Sequence, residues 1–178
     1  SKIVSDLLKF SRSSESNISV FNINDAMEEV LDVVEHTFGL NHVMVKREYG
    51  INPLPINGDK EKIKQVFVNL LNNAFDAIGE NGSICARTGK VEDTVEISIT
   101  DTGTGIAKEN MGKLFEPFYT TKSPDKGTGL GLSVTFGIVK EHKGSIKVFS
   151  PPLAGTGEKQ GTQFIVVLPT GLNPKKES

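Results

Sequence analysis

Three clusters of residues have types and spacings suited to chemistry on a phosphorylated ligand. The first is a polar stripe, Gln65, Asn69, Asn72, Asn73 and Asp76. Asparagine is a poor helix former, and lysine or glutamate would serve a water-facing stripe better. Asn69, Asn72 and Asn73 therefore read either as plain solvent exposure or as ligands. An amide oxygen is a hard donor of the kind Mg²⁺ accepts while it bridges nucleotide phosphates. The second cluster is Asp101-Thr102-Gly103-Thr104-Gly105. Its carboxylate either opens a turn whose glycines take unusual dihedrals, or accepts a hydrogen bond from a donor such as the adenine amino group. The third is Gly127-Thr128-Gly129-Leu130-Gly131-Leu132, placed at a helix start. Outward N–H groups and the helix dipole favour a phosphate there, and glycine lets the backbone come close. With 18 glycines in the chain, one G-x-G triplet is weak evidence by itself. The run fits neither G-x-x-x-x-G-K-[ST] nor a strand-led dinucleotide turn. Between the two glycine clusters lies Leu114-Phe115-Glu116-Pro117-Phe118-Tyr119-Thr120-Thr121-Lys122. Its aromatics form either a lid over a ligand or a satellite core under a long loop, and Lys122, five residues before Gly127, reads either as a reach to a terminal phosphate or as a solvated lysine.

These clusters need elements to hold them. From about Asp59 to Ile78, Ile63, Val66, Phe67, Leu70, Leu71, Ala74, Phe75 and Ile78 recur at helical spacing, with the polar stripe opposite. Gly79 and Gly82 are its stop signals. Strands follow at about Ser83–Thr88 and Thr94–Thr100. In the second, Val95, Ile97 and Ile99 share a face, and the period of two puts Asp101 on the same side. The irregular stretch from Asp101 to Thr128 is long for a compact domain, and such loops are usually functional. A helix at about Gly129–Glu141 and strands at about Ser145–Phe149 and Thr162–Leu168 complete the domain. Upstream, Ser1–Ser13 reads as the tail of a longer helix and Ser13–Ser19 as a linker. A short strand at about Val20–Ile23 precedes a helix from an Asn24 N-cap to about Thr37, then a strand at Val43–Tyr49. The order gives a two-layer α/β sandwich, helices on one face of a mixed, mostly antiparallel sheet. Its expected divisions are residues 1–19 (helix end and linker), 20–169 (the domain) and 170–178 (a disordered tail).

Length and composition agree with one soluble domain: 178 residues, 37% apolar and 24% charged. A net charge of −2 supplies no global basic field, so no nucleic-acid partner is expected. Cys85 is the only cysteine, which excludes an internal disulfide and a thiolate metal cluster and fits a cytoplasmic setting. No apolar run reaches the length of a membrane span, and no signal peptide opens the chain. It begins at Ser1 rather than Met, so a longer parent, with room for a membrane anchor upstream, is expected.

Taken in order, the segments resemble the ATP-binding domain of sensor histidine kinases, in the superfamily shared with DNA gyrase, the Hsp90 chaperones and MutL. Asn69-Leu-Leu-Asn-Asn73-Ala is similar to that family's asparagine motif, and Asp101-x-Gly103-x-Gly105 to its first glycine motif. Phe115-Glu116-Pro117-Phe118 resembles its phenylalanine motif and Gly127-Thr-Gly129-Leu-Gly131-Leu its second glycine motif. Gly161-Thr162 resembles the closing adenine-side contact, and Leu7-Leu8-Lys9-Phe10-Ser11-Arg12 the end of the dimerisation hairpin. Thr120-Thr121-Lys122 and Asn73-Ala-Phe-Asp76-Ala77 look like the nitrogen-regulation and PAS-linked branch.

The resemblance implies a Bergerat-type fold that binds ATP and Mg²⁺ and transfers the γ-phosphoryl to a histidine. Asn73 would hold the metal, Asn69 and Lys122 would sit at the phosphates, and Asp101 would read adenine. The remaining implied nucleotide contacts are Asp76, Ala77, Gly103, Gly105, Ile106, Phe118, Tyr119, Thr120, Thr121, Gly127 to Leu132 and Thr162. Many relatives carry Lys or Arg where Asp76 stands. The implied partners are a phosphoacceptor hairpin, a response regulator and a second copy in the full-length homodimer. His36, His42 and His142 lack the H-E-x-x-x-P context of an acceptor, so the acceptor is expected upstream. Two other classes compete. An ATP-gated interaction module would bind without transfer. A gyrase-type hydrolase would need a general base at position 69, which the amide of Asn69 cannot supply.

Overall fold

The computed structural model describes residues 17–117, 119, 131–153, 156–158 and 160–172. Its elements are β1 (Ile18–Asn22), α1 (Ile23–Leu40), β2 (Val43–Tyr49), β3 (Pro55–Asp59), α2 (Lys60–Ile78), β4 (Gly82–Val91) and β5 (Thr94–Asp101). A 3₁₀ helix (Lys108–Lys113), α3 (Gly131–Glu141), β6 (Ser145–Phe149) and β7 (Thr162–Pro169) follow. The main sheet runs β2-β4-β5-β7-β6, with β2 parallel to β4 and every other pair antiparallel. β1 and β3 form a separate antiparallel ribbon.

The periodicity of α2 explains its place. Asp59 caps it by accepting the Lys62 amide at 3.2 Å, and Gly79, at φ 75°, ends it. Ile63, Val66, Phe67, Leu70, Leu71 and Ala74 are buried in one cluster with Ile84 and Ala86 of β4, Val95, Ile97 and Ile99 of β5, and Phe164, Val166 and Leu168 of β7. Burying each large side chain contributes about 1.5–3 kcal/mol, so this face fixes the rotation of the helix and aims the amide stripe outward. The two-layer sandwich read from the sequence is the fold observed.

Several local readings shift. The helix cap is Asn22, whose side-chain oxygen accepts the Asn24 and Leu54 amides at 3.1 and 2.9 Å. Asn24 is instead buried, donating to Ile51 O and Asn52 Oδ1 and accepting from Thr88 Oγ1. The helix runs on to Leu40, and the strand before it begins at Ile18, inside the stretch read as linker. β3, a strand for which the sequence reading gave no element, forms at Pro55–Asp59 by pairing with β1. Thr170 is 6% exposed, accepts the Asn57 amide at 2.7 Å and donates to Asp93 O at 2.9 Å, so the folded unit extends past Pro169. Residues 1–16 and 173–178, where the hairpin end and most of the tail were expected, lie outside the described residues.

The histidines behave as ordinary residues. His36 and His42 are exposed. His142 Nε2 accepts the Asp59 amide at 3.0 Å, so its proton sits on Nδ1 and donates to Ile138 O at 2.9 Å. That ring ties the start of α2 to the end of α3. No helix among the described residues is long and apolar enough to cross a membrane.

Candidate functional site

α2 is the spine of the site. Asn69, Asn73 and Ala77 follow at four-residue steps, so they share a stripe that spans about 12 Å along the helix axis. At one end, the Asn69 amide nitrogen donates to Gly131 O and to Thr135 Oγ1, both at 3.0 Å, and its oxygen accepts Gln65 Nε2 at 2.9 Å. Thr135 is fully buried and its hydroxyl donates to Gly131 O at 2.9 Å. Asn69 thus fastens the start of α3, where the second glycine motif ends. At the other end, Ala77 O accepts the Thr104 amide at 3.1 Å. Gly103 sits so close that a Cβ there would lie 2.6 Å from the carbonyl carbon and oxygen of Ala77. Only glycine permits that approach.

Asp101 closes β5, with Thr162 of β7 on one side and Ile84 of β4 on the other. It is 3% exposed, and Gly103 N donates to its Oδ1 at 2.8 Å. Burial pushes its carboxyl up to about 6, against the backbone amides of Gly103 and Thr162, which favour the charged form. Gly161, at φ 113°, packs on the Asp101 carbonyl so tightly that any Cβ would collide with it. The result is a pre-aimed carboxylate, ionised at neutral pH and acceptor-only, at the foot of a strand. A base amino group is a fitting donor for it.

The remaining residues fall around these two anchors. Thr162 is buried beside Asp101, and Ile106 and Leu132 are partly buried against the core. Asn73 is half-buried and Asp76 exposed, on the face of α2 turned from the core. Leu114 is buried, and Phe115 packs on Phe136 of α3 at 5.5 Å between ring centroids. This part of the aromatic segment is a satellite of the core, not a lid. Tyr119 is half-buried. Phe118, Thr120, Thr121, Lys122, Gly127, Thr128, Gly129 and Leu130 lie outside the described residues. Thr135, Ser150 and Gln160 were not legible as site residues. Thr135 alone carried a signal, its four-residue spacing from Gly131, which suits a hydroxyl bonding back to a helix carbonyl.

A helix spine flanked by a buried strand-end carboxylate and a glycine-rich helix start defines a class of ATP-binding domain. The chain belongs to the family described as histidine kinase-, DNA gyrase B- and HSP90-like ATPases, which it matches over residues 58–172. Within that family it is a histidine-kinase-type catalytic domain. It is similar to sporulation kinase A of Bacillus subtilis (strain 168), 35% identical over 88% of this chain and 26% of that protein. It is also similar to the signal transduction histidine-protein kinase AtoS of Escherichia coli (strain K12), 37% identical over 98% of this chain and 27% of that one. The solved catalytic domain of histidine kinase ThkA superposes with a TM-score of 0.77 at 32% identity, covering 86% of this chain and 96% of that chain. A longer ThkA, solved with the response regulator TrrA, superposes with a TM-score of 0.78 at 28% identity over 99% of this chain and 49% of that chain. The chain therefore spans about a quarter of the length of the two kinases named first.

Proposed function

We propose that this domain binds Mg-ATP and passes the γ-phosphoryl to a histidine on a dimerisation hairpin upstream in the same protein or in its dimer partner. A response regulator aspartate then receives it, as the ThkA–TrrA pairing suggests by analogy. The reading places the domain in the cytoplasm, where a regulator would meet it. The observation that carries it is the geometry of α2, which joins the Asp101 loop at Ala77 to the start of α3 at Asn69.

Each residue has a task that this geometry supports. Asp101 accepts from the adenine amino group, and Gly103 and Gly161 leave it room and hold its loop. Asn69 keeps the start of α3 in place, where the second glycine motif, Gly127–Leu132, would offer backbone amides to the phosphates. Asn73 sits midway on the stripe and offers the amide oxygen that would hold Mg²⁺, a cation that takes few protein ligands when phosphates supply the others. Bound Mg²⁺ supplies charge neutralisation on the phosphates. Lys122 adds a second positive charge there. At position 69, where a gyrase-type hydrolase would need its base for water, stands an amide, already engaged through both its nitrogen and its oxygen. A neutral imidazole needs only positioning, which favours transfer over hydrolysis.

The test mixes the domain with γ-labelled ATP and a separately supplied hairpin domain. Acid-labile label on the hairpin histidine is expected, and none on this chain. Binding without transfer would turn the reading into a nucleotide-gated interaction module, and brisk ATP hydrolysis without a hairpin would restore the hydrolase. Asn73→Ala should remove the Mg²⁺ dependence of ADP affinity and leave the fold intact, read by calorimetry with and without chelator.

A further inference from the structure

We infer that Ser150, at the end of β6, is a positioning residue for adenine recognition. This rests on the nucleotide reading above and names a further residue serving that site. The Ser150 hydroxyl donates to Gly161 O at 2.7 Å and accepts the Ile106 amide at 2.8 Å. It therefore clasps the end of the Asp101–Ile106 loop to the residue before Thr162. Both clasped segments flank Asp101: one carries Gly103, whose amide bonds the carboxylate, and the other abuts the Asp101 carbonyl. Gly105 and Gly161 sit at φ 82° and 113°, conformations glycine adopts freely but does not enforce, so ties from outside the loop fix its shape. A Cβ on Gly105 would stand 2.9 Å from Ser150 Oγ, which shows how closely the loop is drawn onto the hydroxyl. Gln160 adds a weaker tie, its side-chain nitrogen donating to Gly103 O at 3.1 Å. A hydroxyl is the small group that donates and accepts at once, and alanine does neither.

The test compares wild type, Ser150→Ala and Ser150→Thr by calorimetry with ADP and with IDP, whose base lacks the amino group. If Ser150 aims the Asp101 carboxylate, the alanine variant loses ADP affinity by about tenfold, the scale of one net hydrogen bond, and loses IDP affinity much less. Its ADP-to-IDP preference falls accordingly, and threonine restores it. Equal losses for ADP and IDP would reduce Ser150 to general scaffolding and overturn the inference, as would an unchanged ADP affinity. Should the alanine variant not fold, Ser150→Cys, which lengthens and weakens both bonds, is read the same way. A wild type that takes up neither nucleotide would sink the nucleotide reading itself, whereas an alanine variant that prefers ADP over IDP as strongly as the wild type does would sink only the role of Ser150.

Discussion

Replacing Asp101 by asparagine should make the domain more stable and nearly unable to hold adenine nucleotides. Burial raises the Asp101 carboxyl from 3.8 to about 6. At 1.36 kcal/mol per unit, keeping it charged at pH 7.5 costs the fold about 3 kcal/mol. An asparagine at this position keeps its oxygen on Gly103 N but loses the charge-assisted strength of the bonds from the Gly103 and Thr162 amides, together a loss of about 1–2 kcal/mol. The net gain is about 1–2 kcal/mol, or roughly 2–8 °C in Tm for a chain of this size. The sign follows from linkage. The folded state holds the proton more tightly than the unfolded one, so the stability linked to the protonated carboxyl is complete below pH ~4 and lost as pH rises through ~6. The gap between asparagine and wild type should therefore be smallest near pH 4, open across that window and level off above it. Thermal unfolding of both proteins without nucleotide, at several pH values from 4 to 8, measures the gap directly. Meanwhile the asparagine amide turns a donor toward the adenine amino group, and losing a bond to a charged acceptor lowers ADP affinity by about 10- to 150-fold. Wild-type ADP affinity should also weaken below pH ~6. A gap that does not vary with pH, or an asparagine variant that is less stable at pH 7.5 and binds ADP normally, would refute both the buried charge and its purpose.

Three further outcomes follow from the same geometry. Asn69→Ala deletes the donors to Gly131 O and Thr135 Oγ1 and should cost about 1–3 kcal/mol in urea unfolding while weakening Mg-ATP binding, because the start of α3 loses its tie. Gly103→Ala places a methyl 2.6 Å from the Ala77 carbonyl and should cost about 1–3 kcal/mol, with ADP affinity falling in step as the Asp101 loop is pushed from α2. His142→Ala leaves the Asp59 amide without its acceptor and should cost about 1–3 kcal/mol, yet ADP affinity and label transfer to a supplied hairpin should stay at wild-type levels. Label transfer that vanished in a folded His142→Ala protein would contradict its packing role.

What the sequence displayed, and what it hid, divides by the range of the forces involved. α2 was legible almost to the residue, because its cap, apolar face and terminal glycine are local signals that agree with one another. Asp101 was legible because a carboxylate ending the row Val95, Ile97, Ile99 must share their burial. β3 was not: Pro55–Asp59 is short and carries no apolar alternation of its own, and becomes a strand only when the distant β1 supplies its hydrogen bonds. Asn24 was misread as a cap for a related reason: its partners Ile51, Asn52 and Thr88 are remote in sequence, and the nearer Asn22 serves the helix end. Ser150 and Gln160 left no trace, because their roles exist only once the β6–β7 connection folds against the Asp101 loop.

That division bears on how the site works. The residues visible in the sequence are those that would touch the nucleotide, and their neighbours in the fold are those that hold them. Asn69 belongs to both groups, and the structure adds weight to the second. Both hydrogens of its amide nitrogen are already committed to Gly131 and Thr135, and its oxygen to Gln65. Any phosphate contact by Asn69 must therefore displace or share those bonds. The cheaper arrangement leaves them in place and lets the backbone amides at the start of α3 meet the phosphates, with Asn69 setting their distance from Asn73. On the proposed reading, metal and phosphates would then be held from two elements joined by one side chain, so a substitution at position 69 should disturb phosphate geometry while leaving the Asp101 end of the site intact.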